Sequence, residues 1–242
     1  MTTPARQYQS SADWYDEHFY SDEQMALGPW HKALLSDLIA ECDREIKLVE
    51  LGCGQAQVPR LLVQMGKVAA GNVYGMDQSR AAINFVDRQL PEAHFSVQDL
   101  YDMDYPAGFF DLCFMLETVE HLEQPEAVLQ KIFEILKPGG SFYLSFPNFV
   151  HLPWLAVRLL SQALNKPSWI CLQPVDKIYS VFGMKRLVQQ AGFEFAKGIG
   201  SNYGPPVLYP LEKEWLTRGL NRCGMYWWSF HPVLKFKKPL KT

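Results

Sequence analysis

The sequence predicts an α/β protein with a doubly wound, mostly parallel sheet. Short apolar runs alternate along the chain with segments of helical periodicity, which is typical of parallel strands covered by helices on both faces. The first apolar run passes through Glu50 into a Gly-x-Gly turn, and the next run ends on a second acid, Asp77. Sheets of this kind bind a nucleoside at the carboxyl ends of their strands, where such a turn and acid meet.

The predicted elements follow in chain order. Two helices are expected between about Ser11 and Glu41, where aromatic residues and then leucines recur at helical spacing. The expected strands are Lys47–Leu51, Val73–Asp77, Ala93–Gln98, Phe110–Leu116, Ser141–Phe146 and a last one at Trp227–Lys237. The expected helices are Val58–Gln64, Ser79–Gln89, Pro125–Leu136 and Met184–Ala191. Lys-Pro-Gly-Gly at residues 137–140 predicts a helix end followed by a turn.

The rhythm of strands and helices also predicts the domain organisation. We expect a single domain over residues 1–242, with an N-terminal helical cap at 1–45 and a cofactor-binding core at 46–148. Two aromatic-rich segments, 149–180 and 201–225, interrupt the alternation. Because insertions at the carboxyl edge of an α/β sheet usually cover the ligand crevice, we interpret both as parts of a lid.

Composition argues against several classes of protein. A formal net charge of −3 gives no basic field for nucleic acid. Five cysteines without a Cys-x-x-Cys pair argue against a disulfide framework or a zinc site. The chain has no apolar leader and no run that approaches the ~20 apolar residues of a membrane span. We expect a cytoplasmic protein that acts on a small molecule, without stable membrane insertion, as a monomer or a homodimer.

The residues around the glycine turn distinguish two kinds of nucleoside. A dinucleotide fingerprint needs a third glycine at the position that Gln57 occupies here. A pyrophosphate would also lie beside the carboxylate of Glu50, which would repel it. A ligand with an ammonium group and a sulfonium but no phosphate, such as S-adenosylmethionine, fits that acid better. A nicotinamide oxidoreductase is therefore disfavoured.

The segment Glu50-Leu-Gly-Cys-Gly resembles the acid-x-Gly-x-Gly motif of the class I S-adenosylmethionine-dependent methyltransferases. The resemblance runs from about Lys47 to Asn148. It includes Phe-Asp-Leu at 110–112, Glu-Thr-Val-Glu-His-Leu at 117–122, Leu-Lys-Pro-Gly-Gly at 136–140 and Phe-Pro-Asn at 146–148. These motifs are similar to the small-molecule branch that contains the ubiquinone-biosynthesis O-methyltransferases. The resemblance implies a seven-stranded Rossmann-like sheet and S-adenosylmethionine as cofactor, with S-adenosylhomocysteine as product.

Each part of the cofactor then has an expected partner. Glu50 would accept from the methionine ammonium, and Asp77 would accept from both ribose hydroxyls. Asp99 would accept from the adenine amino group, and the Leu100 amide would donate to a ring nitrogen. The full set of expected cofactor-binding residues is Glu50, Gly52, Cys53, Gly54, Asp77, Gln78, Asp99, Leu100, Met115 and Leu116.

The implied activity is transfer of a methyl group to a small, largely apolar acceptor, a hydroxyl in preference to an amine or a carbon. A non-catalytic methyltransferase-like binding protein is the alternative from another class. An oxygen nucleophile must lose a proton to a base or a metal. His121, after the fourth strand, and His151, after the fifth, are the candidate catalytic residues.

Glu117, Glu120 and His121 form an alternative metal site, although a metal-free enzyme is the main expectation. Their spacing of three and four residues places them on one helical face, with oxygen and imidazole ligands suited to magnesium or manganese. Similar motifs occur in some ubiquinone-pathway and RNA 2′-hydroxyl methyltransferases. The RNA enzymes add a downstream histidine, whereas the corresponding segment here is Val-Asp-Lys-Ile-Tyr at 175–179.

Two further patterns are open to more than one interpretation. Trp14 and Tyr15 could close over the methionine end of the cofactor, or they could be core residues. Lysines interleave with apolar residues over 235–241. We interpret them as an edge strand that is kept soluble by charge, with weak binding to a membrane surface as the alternative.

Overall fold

The computed structural model describes residue 16 and residues 29–163, 177–204 and 213–240. The strands are β1 Leu48–Leu51, β2 Val73–Asp77, β3 His94–Val97, β4 Phe110–Leu116, β5 Leu136–Ser145, β6 Glu194–Ser201 and β7 His231–Lys237. The helices are α1 Pro29–Glu41, α2 Gln57–Gln64, α3 Arg80–Gln89, α4 Pro125–Ile135, α5 Leu152–Ala163, α6 Val181–Gln190 and α7 Glu214–Arg222. The seven strands form one sheet in the order β3-β2-β1-β4-β5-β7-β6. All neighbours are parallel except β7, which runs antiparallel to β5 and β6.

Helices cover both faces of this sheet, as the alternation predicted. Leu38 of α1 and Leu62 of α2 belong to the buried cluster on one face, and Ile132 of α4 and Met184 of α6 belong to the cluster on the other. From Leu112 to Leu116, successive residues of β4 alternate between the two clusters, as the two-residue period of a strand requires. The near-continuous apolar sequence of β4 reflects burial on both sides.

The order of the strands places a crevice between β1 and β4. From β1 the chain continues to β2 and β3 on one side, and it returns to β4 and β5 on the other. Adjacent loops at such a switch point leave in opposite directions, and the gap between them is where α/β sheets bind ligands. Glu50 of β1 and Glu117, just beyond β4, therefore flank this crevice.

One strand of the sheet was missing from the sequence prediction. Strand β6 has the sequence Glu-Phe-Ala-Lys-Gly-Ile-Gly-Ser, in which two glycines and little apolar alternation conceal the strand pattern. It lies at the edge of the sheet and pairs along most of its length with β7. Long-range pairing, and not local propensity, therefore makes this segment a strand.

Several predicted boundaries were also wrong. Strand β5 begins at Leu136 and not at Ser141, because Leu136 pairs with Phe110 across a register shift. The last strand begins at His231 and not at Trp227, since Met225–Trp228 form a 3₁₀ turn. Helix α6 begins at Val181, three residues before the predicted start at 184, because Ser180 caps it by accepting from the Gly183 N–H.

The predicted cap and lid are only partly within the described residues. Helices α5 and α7 lie in the two segments interpreted as the lid. Trp14, Tyr15 and most of the first predicted N-terminal helix lie outside the described residues. The single-domain boundaries and the cytoplasmic location stay predictions. Within the described ranges, no helix is long and apolar enough to cross a bilayer.

The lysines near the C-terminus do not protect a sheet edge, so that interpretation was wrong. Strand β7 lies between β5 and β6. Lys235 forms ion pairs with Glu41 at 2.7 Å and with Asp37 at 3.4 Å, both on α1. Lys237 also contacts Glu41, at 3.1 Å. The lysines therefore attach α1 to the sheet.

Candidate active site

The glycine turn after β1 is tied to the carboxyl end of β2. The Gly52 and Cys53 N–H groups both donate to the Met76 carbonyl, at 2.9 and 3.0 Å. The Gly54 N–H donates to Asp77 Oδ2 at 2.8 Å. Gly52 has a left-handed backbone with φ +70°, and a Cβ placed there would lie 2.4 Å from Thr118 Cγ2. Only glycine meets both constraints.

Glu50 is a buried acid, and no positively charged side chain contacts it among the described residues. Its side chain lies in β1 with 4% exposure, and Oε2 is buried with no hydrogen-bond partner among the described residues. Burial first, and then the nearby Asp77, raise the pKa of Glu50 well above its usual value. A buried carboxylate in this state is stabilised by a cationic hydrogen-bond donor.

Asp77 is anchored by backbone donors on both sides. Oδ2 accepts from Gly54, as described, and Oδ1 accepts from the Ser79 N–H at 2.8 Å. Burial raises the pKa of Asp77, while the N–H bonds from Ser79 and Gly54 partly offset that rise. Each carboxylate oxygen can accept more than one hydrogen bond, so the anchored group keeps capacity for a further donor.

A third acid, Asp16, lies next to Asp77 at the start of α3. Its Oδ1 accepts from the Ser79 hydroxyl, and from the Ala81 N–H at 3.3 Å. Its charge contributes to the raised pKa of Asp77. Asp16 therefore lies on the Asp77 side of the crevice, which the sequence did not predict.

The residues expected at the adenine edge are adjacent to Asp77. The Gln98 N–H donates to the Asp77 carbonyl at 3.0 Å, which joins the ends of β2 and β3. Asp99 is exposed, and its Oδ1 accepts from the Tyr101 N–H at 2.9 Å. Leu100 is buried and starts a short 3₁₀ turn. Gln78 follows Asp77 directly and is exposed.

The end of β4 completes the cofactor side of the crevice. Met115 and Leu116 are buried strand residues. The Thr118 hydroxyl donates to the Leu116 carbonyl at 3.0 Å and lies 3.5 Å from the Gly52 carbonyl oxygen. The structure thus brings all the expected cofactor-binding residues to the carboxyl ends of β1 to β4.

Glu117 points away from the glycine turn towards β5 and β7. The Ser145 hydroxyl donates to Glu117 Oε1 at 2.7 Å, and His231 Nε2 lies 3.9 Å from Oε2. Burial and the charge of Glu120 raise the pKa of Glu117 to about 8, although the Ser145 hydrogen bond and His121 partly lower it.

His231 and Asn202 form a second group that sequence reasoning missed. His231 Nδ1 lies 3.2 Å from Asn202 Oδ1, and the Ser201 hydroxyl donates to the same oxygen at 3.1 Å. His231 is the first residue of an antiparallel strand, so it lies at the same sheet edge as the ends of β4 and β5. The predicted strand start at Trp227 placed this histidine inside the strand, and only the correct strand direction would have revealed it.

The metal-site alternative depended on one helical face, and that premise was wrong. Glu117 has a left-handed backbone, and Val119–His121 form a single 3₁₀ turn. His121 Nε2 lies 3.6 Å from Glu120 Oε1, while Glu117 contacts Ser145 instead. In the described part of the chain, no group of three or more His, Cys, Asp or Glu side chains is arranged to hold a metal ion.

The two histidines predicted to be catalytic have different surroundings. His121 lies in the 3₁₀ turn beside Glu120. His151 is 2% exposed, and its Nε2 lies 3.0 Å from the Tyr203 carbonyl oxygen. Its ring also meets Trp228 edge-to-face, with 5.8 Å between the ring centroids. A role for either residue in catalysis stays a prediction.

Comparison with known proteins identifies the family. A family model described as a methyltransferase domain matches residues 21–197, which include the glycine turn, both acids and all of β1 to β5. The chain belongs to the class I S-adenosylmethionine-dependent methyltransferases.

Curated relatives of this methyltransferase are distant in sequence. A ubiquinone biosynthesis O-methyltransferase from Cupriavidus pinatubonensis is 23% identical over 69% of this chain and 68% of its own length. A mitochondrial ubiquinone biosynthesis O-methyltransferase from Dictyostelium discoideum is 20% identical over 62% of this chain and 54% of the relative. The chain therefore spans about half to two thirds of the length of these relatives.

Solved structures share the fold over nearly the whole chain. A chain from the complex between the Haloferax volcanii Trm112 methyltransferase activator and a methyltransferase superposes with a TM-score of 0.69 at 20% identity, covering 96% of this chain and 99% of the other. Magnesium protoporphyrin IX methyltransferase from Synechocystis, solved with bound S-adenosylhomocysteine, has a TM-score of 0.61 at 13% identity and covers 95% of this chain and 100% of its own. The seven-stranded methyltransferase fold predicted from the sequence is confirmed.

Proposed function

We propose that this methyltransferase transfers a methyl group from S-adenosylmethionine to a small, largely apolar acceptor, a hydroxyl in preference to an amine or a carbon. The observation that carries the proposal is the buried Glu50 carboxyl, whose Oε2 has no hydrogen-bond partner among the described residues, beside a turn that excludes any side chain at Gly52. A cationic amine fits such a group. When bound, S-adenosylmethionine supplies an electrophilic methyl group on a positively charged sulfur.

The chain's own residues would bind and orient the cofactor. Glu50 accepts from the methionine ammonium, and the turn at Gly52 admits the methionine chain close to the backbone. Asp77, held by two backbone donors, accepts from the ribose hydroxyls. The residues proposed to hold the cofactor are Glu50, Gly52, Cys53, Gly54, Asp77, Gln78, Asp99, Leu100, Met115 and Leu116.

The surroundings of His231 support an apolar acceptor. Phe230 stacks on Trp154 with a centroid distance of 4.5 Å, and its ring also lies 4.5 Å from that of His231. Phe149, Trp154 and Phe230 form a buried aromatic cluster. Relatives named as ubiquinone biosynthesis O-methyltransferases support a hydroxyl as the atom that receives the methyl group.

An amine acceptor is the second candidate. The half-buried carboxyl of Glu117 faces the acceptor side of the crevice, and its pKa is raised to about 8, first by burial and then by Glu120. A cationic ammonium would stabilise its ionised form. Identification of the methylated atom decides between the two.

Calorimetric titration with S-adenosylhomocysteine tests the cofactor site. We expect Glu50→Gln to weaken binding by about 30-fold or more, because it removes one partner of a buried charge pair. The same change should raise the free energy of unfolding of the ligand-free protein by about 1–3 kcal/mol, because it removes a buried acid that lacks a partner. A misfolded variant could bind less tightly, but it could not also have a higher free energy of unfolding than the parent. Glu92→Gln, at an exposed position, is the matched control, and equal affinity of the Glu50 and Glu92 variants would contradict the proposal.

The transfer reaction needs a separate experiment. Purified protein is incubated with cell extract and methyl-labelled S-adenosylmethionine, and the metabolite that gains the label is identified by mass spectrometry. We expect label on an oxygen atom of a small apolar molecule. Binding of S-adenosylhomocysteine without transfer to any component would instead indicate a non-catalytic binding protein.

A further inference from the structure

Two strained residues face the acceptor side of the crevice. Among the described residues, the non-glycine positions with positive φ are Ala56, Glu117 and Asn202, at +46°, +51° and +60°. All three lie in loops at the carboxyl edge of the sheet. A left-handed backbone costs a residue with a side chain about 1–2 kcal/mol, and such strain is concentrated at functional sites. Glu117 and Asn202 both contact His231.

Asn202 determines which nitrogen of His231 carries the proton. Its side chain is buried, with 4% exposure, and its Oδ1 lies 3.2 Å from His231 Nδ1. An amide oxygen only accepts hydrogen bonds, so Nδ1 must be the donor. The Phe230 N–H donates to the Asn202 carbonyl at 3.1 Å and holds the strained loop in place. The other ring nitrogen, Nε2, therefore presents a lone pair.

That lone pair is directed towards Glu117. Nε2 lies 3.9 Å from Glu117 Oε2, a separation too long for a direct hydrogen bond. Burial, followed by the charges of His31 on α1 and His151 beside α5, lowers the pKa of His231 to about 3. The imidazole is therefore neutral at neutral pH when the site holds no cation or acceptor.

The same group is close to the cofactor side. Thr118, the neighbour of Glu117, packs directly against the Gly52 turn. Glu117 also donates its backbone N–H to the Ser145 carbonyl and hydroxyl, at 3.2 and 3.1 Å. One short loop thus connects the glycine turn to the imidazole.

We propose that His231 Nε2 receives the proton of the acceptor hydroxyl, with Asn202 as the residue that orients the ring. This rests on the proposed function. The acceptor oxygen forms its bond to the methyl carbon while the carbon–sulfur bond breaks and its electron pair stays on sulfur. The hydroxyl proton passes to Nε2, which converts the imidazole to an imidazolium. Release of that proton to water restores the neutral ring.

This assignment restricts the class of acceptor. A protonated hydroxyl has a hydrogen to donate to Nε2, whereas a carboxylate has none. The acceptor is therefore a molecule with a protonated hydroxyl group, and the buried aromatic cluster that includes Phe230 lies beside His231.

Nitrogen NMR of histidine-labelled protein, saturated with S-adenosylhomocysteine, tests the orientation without any acceptor. We expect His231 to be neutral and protonated on Nδ1 from pH 5 to 8. Asn202→Gly should mix the two tautomers, since glycine accepts φ +60° without strain and only the side chain is lost. Asn202→Asp keeps the acceptor oxygen and should keep the tautomer. A proton on Nε2, or a tautomer that Asn202→Gly leaves unchanged, would overturn the assignment.

Turnover of the labelled acceptor tests the proton transfer. We expect His231→Gln to lower kcat by about 10²–10⁴-fold, with the Kd for S-adenosylhomocysteine within about threefold of the parent. His94→Gln, at an exposed position on β3, should leave kcat and the Kd for S-adenosylhomocysteine unchanged. Asn202→Gly should lower kcat by about tenfold or more, and Asn202→Asp should restore it. These two variants test the proposal even if His231→Gln does not fold.

Different results would contradict the role of His231 and the proposed function. Full kcat in His231→Gln, with a loss in His121→Gln or His151→Gln instead, would overturn the role of His231 and leave the methyltransferase function intact. Absence of S-adenosylhomocysteine binding by the parent protein would overturn the proposed function itself.

Discussion

Two glycines with almost the same backbone conformation have different surroundings. Gly52 has φ +70° and would place a Cβ against Thr118, whereas Gly66 has φ +68° and nothing within 4 Å of that position. A side chain at Gly66 would meet backbone strain alone, whereas a side chain at Gly52 would meet the same strain and a steric clash. At Gly52 both effects act on one residue, which explains why the turn needs glycine there.

Alanine substitutions at these two positions should differ. We expect Gly66→Ala to lower the free energy of unfolding by about 1–2 kcal/mol through strain alone. Gly52→Ala should lose about a further 1–3 kcal/mol through overpacking against Thr118. Urea unfolding of both variants measures the difference. Equal losses would show that the contact with Thr118 is relaxed at no cost.

At the scale of elements, helix α1 is attached to the sheet by charge as well as by apolar packing. The Tyr143 hydroxyl on β5 donates towards Asp37 Oδ2 at 2.8 Å and Glu41 Oε2 at 2.6 Å. Burial raises the pKa of both acids, but hydrogen bonds from lysines and from Tyr143 outweigh it, so both pKa values lie below their usual range. Among the described residues, Glu50 Oε2 has no hydrogen-bond partner, so burial and the nearby Asp77 raise the pKa of Glu50 instead.

Removal of one lysine tests this attachment. Lys235 is 14% exposed and contacts both acids of α1. We expect Lys235→Met to lower the free energy of unfolding at pH 7 by about 1–3 kcal/mol, because two half-buried carboxylates lose a partner. Lys213→Met, at an exposed position, is the control.

The sign of the pH effect follows from the lowered pKa values. The stabilisation by Asp37 and Glu41 is complete above their unfolded pKa and is lost as the pH falls through the folded pKa. Chemical unfolding at pH 7 and pH 3 should therefore show a smaller acid-induced loss in Lys235→Met than in the parent. The same loss in both proteins would contradict this role of the lysine.

At the scale of the whole molecule, two groups of acids affect stability in opposite pH ranges. The acids of α1 stabilise the fold when ionised, whereas Glu50 and Glu117 are more easily accommodated when protonated. The ligand site therefore destabilises the empty protein as the pH rises. A cationic cofactor would remove part of that cost.

Glu117 gives a measurable part of this pH dependence. Its folded pKa of about 8 lies above the ordinary value of 4.5, so the folded state binds the proton more tightly than the unfolded state. The free energy of unfolding should fall as the pH rises between those two values. In Glu117→Gln this fall should be smaller, as measured by urea unfolding of ligand-free protein at pH 5 and pH 8.5. Glu92→Gln is the control. If the free energy of unfolding falls by the same amount in Glu117→Gln and in Glu92→Gln, the pKa of Glu117 is not raised in the folded protein.

The sequence was enough to predict the fold class and the meeting of Glu50, the glycine turn and Asp77 at the carboxyl ends of β1 and β2. Glu50, the glycine turn and Asp77 lie within one strand–helix–strand unit, so their contacts follow from local geometry and from the parallel direction of β1 and β2. The boundaries of β5 and β7 were less predictable, because bulges and strand partners determine them.

The proposed acceptor side could be recognised only in the tertiary structure. Glu117, Ser145, Asn202 and His231 come from four separate parts of the chain, and the sheet order β4-β5-β7-β6 brings them together. Strand β6 is stabilised by pairing with β7, and the antiparallel direction of β7 puts its first residue at the carboxyl edge. Local residue patterns were enough to predict the arrangement around the glycine turn, because its members are close in sequence. Only the pairing of distant strands decided which histidine meets which acid.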